Sequence, residues 1–384
     1  MSILRLLSIF YMGIFVLILF AGSFKNIRVA RIFYSLSIIF ALCVGIWGFS
    51  LEPSVRLDLY RLHNYVRSLE FGAGSFFSKI WGAKGMLGVD STEGMIGWNL
   101  LCYIVQGIGD VHWLSAIGSF LTFFNVLFIF VDYIRSEGLT SKTLGIGVLL
   151  AFMGLPIQYV LSGIRNALAV SLVMLSLYLF FYKKQSHILS ILLILAAATI
   201  HTACLFAVVP IFFVRSKRQI VWRAAGLFSM PLIFAVANAL RSVSIPFLSV
   251  MFNRVLFYTN VEYQYDRPEM IANIVVFVSV AYVYWHHKRR GLIEEKSDLQ
   301  TYYINAYYLL GSIMIGCSVH RDFTLRVGYI MGIAAFPVLS KILLCEHDNR
   351  TATYMNYVLV LILLVCCGKV YYDMFAVISQ WTFS

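Results

Sequence analysis

The chain has 384 residues, of which 60% are hydrophobic and 12% charged, and its mean hydropathy is +0.82. A soluble fold of this size cannot bury so much apolar surface, so a soluble globular protein is excluded. The formal net charge of +12 is concentrated in short basic loops between apolar runs, which is typical of a membrane protein and not of a nucleic-acid-binding one. We therefore predict an all-α polytopic membrane protein with no nucleic-acid partner.

Apolar runs that could cross a hydrocarbon core of roughly 30 Å recur along the whole chain. We expect about 10–12 spanning helices in a single integral-membrane domain, 1–384. The first run has no small-residue cleavage site at its end, so we expect it to be retained. The runs are 3–22, 29–49, 113–134, 143–161, 166–182, 224–240, 270–286, 300–317, 326–343 and 354–372.

Basic clusters predict the orientation, because short loops rich in Lys and Arg face the cytoplasm. The large segment 50–112 and the segment 241–269 are then outer loops. The apolar stretch Met95–Gly109 within the first of them is short, which favours an interfacial helix. The basic clusters are Lys25/Arg28/Arg31, Arg135/Lys142, Lys183/Lys184, Arg215/Lys217/Arg218/Arg223, Lys288/Arg289/Arg290/Lys296 and Lys341/Arg350.

The segment 188–214 lies between two basic clusters but is too short for two full crossings, which need about 40 residues. We expect a re-entrant hairpin that turns near His201 and Thr202, with His201 at the floor of an outward-facing cavity. Non-helical backbone at that depth requires protein or water around it. The alternative is one long tilted helix with the next loop outside.

The stretch YVLSGIRNALAVSLVMLSLYLFF (Tyr159–Phe181) holds a single charge, Arg165, just after the Ser162–Gly163 break. We predict that Arg165 stands at the outer start of an inward-running helix, followed by Asn166. That end of a helix has unpaired N–H groups and a positive macrodipole, so a cation there favours a bound anion such as phosphate. The alternative is a snorkelling interfacial arginine.

The stretch CSVHRDFTLRVGYIMGIAAFP repeats this pattern, since Arg326 is predicted to open another inward-running helix. Asp322 or Thr324 would cap that helix, and His320 and Arg321 belong to the same turn. Two guanidinium groups together with helix N–H groups could hold a diphosphate without a metal.

Three further positions are candidate bases. His201 could accept a proton from a sugar hydroxyl or donate a hydrogen bond to phosphate, although a lone histidine in an apolar run is often a packing residue. In the large outer segment, Asp58 and Glu93 could deprotonate an acceptor, with Tyr60 and Arg61 beside Asp58 to bind sugar. Solvated loop residues are the alternative for both acids.

Several motifs are absent. The sequence contains no G-x-x-x-x-G-K-[ST], H-E-x-x-H, G-x-S-x-G or Asp-x-Asp motif, and its seven cysteines lack metal-ligand spacing. We predict no metal, no cofactor and no disulfide framework.

The block LSGIRNALAVSLVMLSLYLFFYKKQSHILSILLILAAATIHTACLFAVVPIFF resembles the central signature of the EpsG/Wzy family of polysaccharide polymerases. That signature is an outer G-x-R-x-x-[L]-A, a helix, a short basic loop, an apolar run and H-[ST]-x-x-L. RVGYIMGIAAFPVL is similar to the family's Arg-x-x-Tyr with a following proline, and EGMIGWNLL is similar to its acidic motif. The matching positions are Gly163, Arg165, Ala169, Lys183, His201, Thr202, Leu205, Arg326, Tyr329, Pro337 and Glu93.

The resemblance implies a GT-C-like fold and a polymerase of undecaprenyl-diphosphate-linked repeat units, of the O-antigen or capsule type, on the outer face of a bacterial cytoplasmic membrane. The implied partners are lipid-linked donor and acceptor glycans, membrane lipids and a chain-length regulator protein. The alternatives are a flippase or transporter of lipid-linked glycans, an O-antigen-ligase-like glycosyltransferase and a membrane acyltransferase. We assign catalysis to His201, Arg165, Glu93 and Asp58, and substrate binding to Arg326, Arg321, His320, Tyr329, Asn166, Tyr60 and Arg61.

Overall fold

A computed structural model of the chain describes residues 28–53, 58–71, 75–82, 92–137, 155, 157–183, 187–201, 204, 207–240, 267–295, 297–344, 350–378 and 382–383. The predicted helix 3–22 lies outside these residues, as do most of the predicted helix 143–161 and most of the outer loop 241–269.

The described residues are mainly helical. The helices are α1 (Arg28–Phe49), α2 (Asp58–Phe71), α3 (Phe76–Trp81), α4 (Ile96–Ile108), α5 (His112–Glu137), α6 (Ile157–Ser162), α7 (Ile164–Phe181), α8 (His187–Ile200), α9 (Val208–Phe213), α10 (Gln219–Leu227), α11 (Ser229–Leu240), α12 (Arg267–Arg289), α13 (Asp298–Gly316), α14 (Arg321–Leu344) and α15 (Arg350–Ile378). The strands are β1 (Leu51–Glu52) and β2 (Thr382–Phe383), which pair antiparallel.

Long helices occupy the predicted apolar runs, which confirms an all-α polytopic membrane protein. Among the described residues, α5, α7, α12, α14 and α15 are long and apolar enough to span a membrane, and a sixth span results if α10 and α11 are counted together. Helices α1 and α13 also form where predicted. However, α13 carries polar side chains such as Gln300 and Asn305.

The described basic loops lie together at one end of the bundle, which we call the basic end. Lys183 follows α7 and pairs at 2.6 Å with Asp132 near the end of α5. The guanidinium of Arg215 lies over the rings of Phe180, near the end of α7, and Tyr302, near the start of α13. The Nζ of Lys341, near the end of α14, is 2.6 Å from Gln300 at the start of α13, and Lys288, near the end of α12, pairs with Glu295 just before α13. The described parts of these basic loops therefore share one side of the fold.

The large segment 50–112 covers the other end, which we call the opposite end. Its strand β1 pairs with β2, so Leu51 lies opposite Phe383 and Glu52 opposite Thr382. Helix α4 forms as expected, with an apolar stripe of 39–51% exposed side chains four residues apart. That stripe is Ile96, Leu100, Ile104 and Ile108. The other face of α4 is buried, which suits a helix lying at a membrane surface.

The segment 188–214 turns back on itself, as the hairpin prediction required. Helix α8 starts at the basic end, where Ser176 of α7 donates to the carbonyl of Ser190 at 2.6 Å. It rises about 21 Å over its 14 residues and ends beside Gly97 of α4. At Arg215 the chain has returned to the basic end, since the Arg215 guanidinium lies over the ring of Phe180. A single tilted helix is therefore wrong.

The predicted helix 224–240 is helical but broken, because two helices, α10 and α11, meet at Phe228 with a bend of 76°. Gly226 packs directly against Ser312 of α13, and the Ser229 hydroxyl donates to the carbonyl of Ile313 at 3.2 Å. These contacts hold α10 along α13 and turn α11 away. Pro231 suits the first turn of α11, where no N–H donor is needed.

A tyrosine cluster fills the core near the basic end. Pro337 interrupts the hydrogen-bond ladder of α14, since proline has no N–H to donate. The hydroxyl of Tyr303 donates to the carbonyl of Ala334 at 2.8 Å, and the Tyr133 hydroxyl donates to the carbonyl of Pro337 at 3.4 Å. These bonds tie α5 and α13 to α14.

Candidate functional site

Arg165 is the second residue of α7, as predicted, and lies at the opposite end. Gly163 occupies the N-cap position and supplies no capping side chain. The Arg165 Nη1 donates to the sulfur of Met95 at 3.6 Å, and its Cζ lies 5.8 Å from the ring centre of Trp98. No carboxylate in the described ranges forms a salt bridge with it. A partly exposed guanidinium at a helix N-terminus, with neutral neighbours, is prepared for an anion.

The start of α4 is fixed beneath Arg165 by Asn99. Its amide nitrogen donates to the carbonyls of Ile80 at 3.0 Å and Thr92 at 2.9 Å, and its oxygen accepts from the Tyr65 hydroxyl at 3.0 Å. Gly82 has a φ of +94°, and a Cβ there would lie 2.4 Å from the Asn99 amide nitrogen. Asn99 therefore joins α2, α3 and α4 into a support for Trp98.

Arg326 lies beside the turn of the hairpin. Its guanidinium is close enough to Cys204 to act electrostatically on the thiol, and the Cys204 amide donates to the carbonyl of His201 at 3.0 Å. His201 is 7% exposed. One turn beyond Arg326, the ring of Tyr329 lies 4.0 Å from that of Tyr159, between ring centres.

A continuous series of contacts links the three residues of the predicted site, Arg165, His201 and Arg326. Tyr159 touches Gly163, which precedes Arg165. Arg165 touches Trp98, whose neighbour Gly97 touches Thr199 near the end of α8. The hairpin turn then leads through His201 and Cys204 to Arg326 and back by Tyr329 to Tyr159. Arg165, His201 and Arg326 therefore lie in one region of the opposite end, while their chemical roles stay predictions.

The predicted start of the Arg326 helix is wrong by more than a turn. Helix α14 begins at Arg321, whose side chain lies outside the described residues, so Arg326 is in the second turn. Thr324 does not cap the helix, because its buried hydroxyl donates to the carbonyls of Cys317 at 2.7 Å and His320 at 3.0 Å. The macrodipole therefore acts more weakly on an anion at Arg326 than at Arg165.

The remaining predicted site residues fall into two groups. Asp58 and Arg61 are exposed and pair with each other at 3.7 Å, while the partly exposed Tyr60 lies on the same helix, α2. Glu93 is partly buried in the turn before α4, and His320 is partly exposed in the turn before α14.

Asn166 is the predicted residue with the most informative surroundings. It follows Arg165 in α7, and its side-chain oxygen is buried with no hydrogen-bond partner in the described part of the chain. Trp98, under the Arg165 guanidinium, likewise has a buried indole N–H without a partner there. An unpaired donor and an unpaired acceptor next to a cation are suited to a polar ligand.

The sequence did not predict a polar cluster at the same end. His112 contacts Asp110 through Nδ1 at 2.7 Å and Glu52 through Nε2 at 3.2 Å. The ring of His63 is 5.3 Å from that of His112, and its Nε2 is 3.2 Å from the Ser115 hydroxyl. Burial, with nearby positive charge, lowers the pKa of His63 from 6.5 to about 4. The amide of His112 donates to Asp110, which lowers the pKa of that carboxyl. No local motif joins these residues in sequence.

Among the described residues, no group of three or more His, Cys, Asp or Glu side chains is arranged to hold a metal ion.

Fold and site together define an integral-membrane helical protein with a cationic site, supported by buried polar groups, at the end opposite its basic loops. The family model of the EpsG family matches residues 62–381. The chain therefore belongs to the EpsG family, a family of Wzy-like polysaccharide polymerases. Searches of curated proteins and of solved structures returned no match. The GT-C-like fold remains a prediction.

Proposed function

We propose that the chain polymerises oligosaccharide repeat units carried on undecaprenyl diphosphate, with the lipid diphosphate bound at Arg165. The observation that carries this proposal is the Arg165 guanidinium at the N-terminus of α7, held by Met95 and Trp98. Arg326 and His201 lie in the same region of the opposite end. Membership of the EpsG family supports sugar polymerisation as the chemistry.

In the proposed reaction, a hydroxyl of the terminal sugar on one lipid-linked repeat attacks the anomeric carbon of the sugar on the growing chain's lipid diphosphate. A glycosidic bond forms, the bond from the anomeric carbon to the phosphate oxygen breaks, and undecaprenyl diphosphate leaves. Arg165 and Arg326 stabilise the negative charge that develops on the leaving phosphate. The hydroxyl proton goes to a base, for which His201 and Glu93 are the candidates.

The proposed orientation follows from the basic end. Because basic loops are retained in the cytoplasm, the Arg165 region faces outward. In a bacterial cytoplasmic membrane, the substrates are then lipid-linked repeats already delivered to the outer leaflet. No nucleotide is needed, since the energy of the transfer is carried by the sugar–diphosphate bond.

The decisive experiment gives the purified protein one lipid-linked repeat unit in detergent and follows products by gel electrophoresis. A ladder of glycans should form without ATP. Arg165→Ala should abolish it, because removal of one charge-stabilising donor costs about 10²–10³-fold in rate. The matched control is Arg67→Ala, which removes an exposed arginine of α2 that bonds only locally, to Asn64 at 3.4 Å.

Other outcomes would contradict the proposal in distinct ways. Movement of the substrate between leaflets with no new glycosidic bond would indicate a flippase or transporter. Transfer of one finished glycan to a different acceptor, without a ladder, would indicate a ligase.

A further inference from the structure

A long central part of the chain contains cations but no acid. No Asp or Glu occurs between Glu137 and Glu262. Lys183 is neutralised by Asp132 from outside this stretch, at 2.6 Å. The basic residues of the stretch are Lys142, Arg165, Lys183, Lys184, Arg215, Lys217, Arg218, Arg223, Arg241 and Arg254. Anions for the others must come from elsewhere in the fold or from a ligand.

Four of these cations lie together at the basic end, where the hairpin leads into α10. We call them the cationic corner: Arg215, Lys217, Arg218 and Arg223. Within the described residues, no carboxylate forms a salt bridge with any of them. The corner therefore carries uncompensated positive charge on a side of the molecule remote from Arg165.

Two of the guanidinium groups are held by neutral groups of α13. The Nη2 of Arg223 donates to the side-chain oxygen of Asn305 at 2.9 Å, and its Cζ lies 4.5 Å from the ring centre of Tyr308. Its Nε is buried and has no hydrogen-bond partner in the described part of the chain. The Cζ of Arg215 is 5.7 Å from the ring centre of Tyr302, one turn before Asn305.

The loop of the cationic corner is fixed before any ligand binds. The side-chain nitrogen (Nε2) of Gln219 donates to the backbone carbonyls of Phe213 at 2.9 Å, Val214 at 2.8 Å and Ser216 at 2.7 Å. The side-chain nitrogen (Nδ2) of Asn305 also donates to the backbone carbonyl of Val214, at 3.3 Å. A fixed loop loses little conformational entropy when a ligand binds, which favours affinity.

An apolar surface adjoins the corner. Phe212 is 66% exposed, Ile220 82% and Val221 57%, and all three are within a few residues of Arg215 or Arg223 in the chain. A ligand that fits both surfaces has an anionic head and apolar tails. Basic clusters beside membrane helices attract anionic lipids through the same combination.

We propose that the cationic corner is a binding site for an anionic phospholipid of the leaflet at the basic end. Its phosphate lies against Arg215 and Arg223, and its acyl chains lie along Phe212, Ile220 and Val221. This site is independent of the proposed polymerase activity, since it lies at the other end of the bundle and needs no glycan.

The test measures lipid binding to the full-length protein in detergent by native mass spectrometry, with phosphatidylglycerol and phosphatidylcholine as probes. The protein should bind phosphatidylglycerol about tenfold or more tightly than phosphatidylcholine, since each basic residue near a lipid phosphate contributes several-fold. Arg215→Gln/Arg223→Gln should reduce this preference to about twofold or less. The matched control, Arg290→Gln, removes an exposed cation after α12 at the same end and should leave the preference unchanged.

The single variant Arg215→Gln controls for misfolding, because the Arg215 side chain is exposed and its loss should not unfold the protein. This variant should weaken phosphatidylglycerol binding several-fold, while the Tm measured without lipid stays constant. Equal binding of the two lipids would overturn the proposal. An equal loss in Arg290→Gln would overturn it in favour of diffuse attraction to the whole basic end. Displacement of phosphatidylglycerol by millimolar inorganic phosphate would mean a site for free phosphate and not for a lipid.

Discussion

The buried oxygen of Asn166, one residue after Arg165, has no hydrogen-bond partner in the described part of the chain. An unsatisfied buried polar group costs about 1–3 kcal/mol, so it is retained only where something offsets that cost. We predict that Asn166→Leu leaves Tm unchanged or raises it, because the unpaired oxygen is removed at similar volume. Ladder formation should fall by about tenfold or more, as expected when a hydrogen bond to substrate is lost. Full activity in the variant would show that this oxygen does not bind the substrate.

The guanidinium shape of Arg165 and Arg326 is a second residue-scale feature. A guanidinium can contact two phosphate oxygens at once, whereas a lysine ammonium acts as a point charge. We predict that Arg165→Lys and Arg326→Lys each lower the rate of ladder formation by about tenfold or more. Initial rates at saturating lipid-linked repeat check this. Full activity of either variant would remove that arginine from the proposed leaving-group site.

At the scale of elements, the close approach of α4 to α8 holds the Arg165 support against the hairpin. A Cβ at Gly97 would lie 2.4 Å from the Thr199 hydroxyl and 3.4 Å from Ile200. We predict that Gly97→Ala separates the two helices, lowers stability by about 1–3 kcal/mol and lowers activity, because Trp98 moves with α4. Thermal unfolding and the ladder assay measure both effects.

Gly107 provides the matched control, since it lies in the same helix and a Cβ there would meet nothing within 4 Å. Gly107→Ala should keep activity and raise stability slightly, by the higher helix propensity of alanine. Equal effects of the two substitutions would mean that the contact with α8 is not important.

The docking of α2 should depend on pH through His63. The pKa of its buried ring is lowered to about 4, from 6.5 when the ring is exposed. Between these values the undocked form takes up the proton, so stability is complete above about pH 6.5 and decreases as pH falls towards 4. The loss should be about 2 kcal/mol by pH 5. Asp110, whose pKa is lowered by its bond from the His112 amide, adds a loss in the same direction at lower pH.

Thermal unfolding in detergent between pH 7.5 and 4.5 checks this expectation. In the control His63→Gln, an amide can still bond to the Ser115 hydroxyl but does not titrate, so its Tm should fall less steeply. Parallel curves for the two proteins would contradict the assignment to His63.

Local composition was sufficient to predict most helices, because a run such as that of α7 or α14 is apolar over a full membrane thickness. It failed where tertiary contacts decide the backbone. The bend at Phe228 depends on Gly226 fitting against Ser312, and the early start of α14 depends on the Thr324 hydroxyl bonding back to Cys317. Pro231 is a local signal that fits the start of α11, since proline is tolerated in a first turn.

For the molecule as a whole, the same distinction applies to the site. Arg165, His201 and Arg326 could be predicted from their own surroundings, because isolated polar groups in apolar runs are costly. The contacts that hold these residues in place could not be predicted from the sequence. The ring contact of Tyr159 with Tyr329 and the bonds of Asn99 with Tyr65 and Ile80 join separate segments of the chain, and only the folded topology brings them together.

Whole-molecule orientation gives the last prediction. The described basic loops share one end, while Val319, 76% exposed in the turn between α13 and α14, lies at the other. Because basic loops stay in the cytoplasm, Val319→Cys should react with a membrane-impermeant maleimide in intact spheroplasts. Arg290→Cys, exposed at the basic end, should react only after permeabilisation.

The unsubstituted protein sets the background of this experiment, since the described cysteines other than the partly exposed Cys43 are buried. Labelling in the reverse order would place the Arg165 region in the cytoplasm. The proposed transfer between outer-leaflet lipid-linked repeats would then be impossible, whatever the chemistry of the two arginines. Equal labelling of both variants before permeabilisation would mean that the membranes leak, which release of a cytoplasmic marker enzyme reveals. In intact spheroplasts, the variant that is labelled more strongly therefore identifies the outward-facing end.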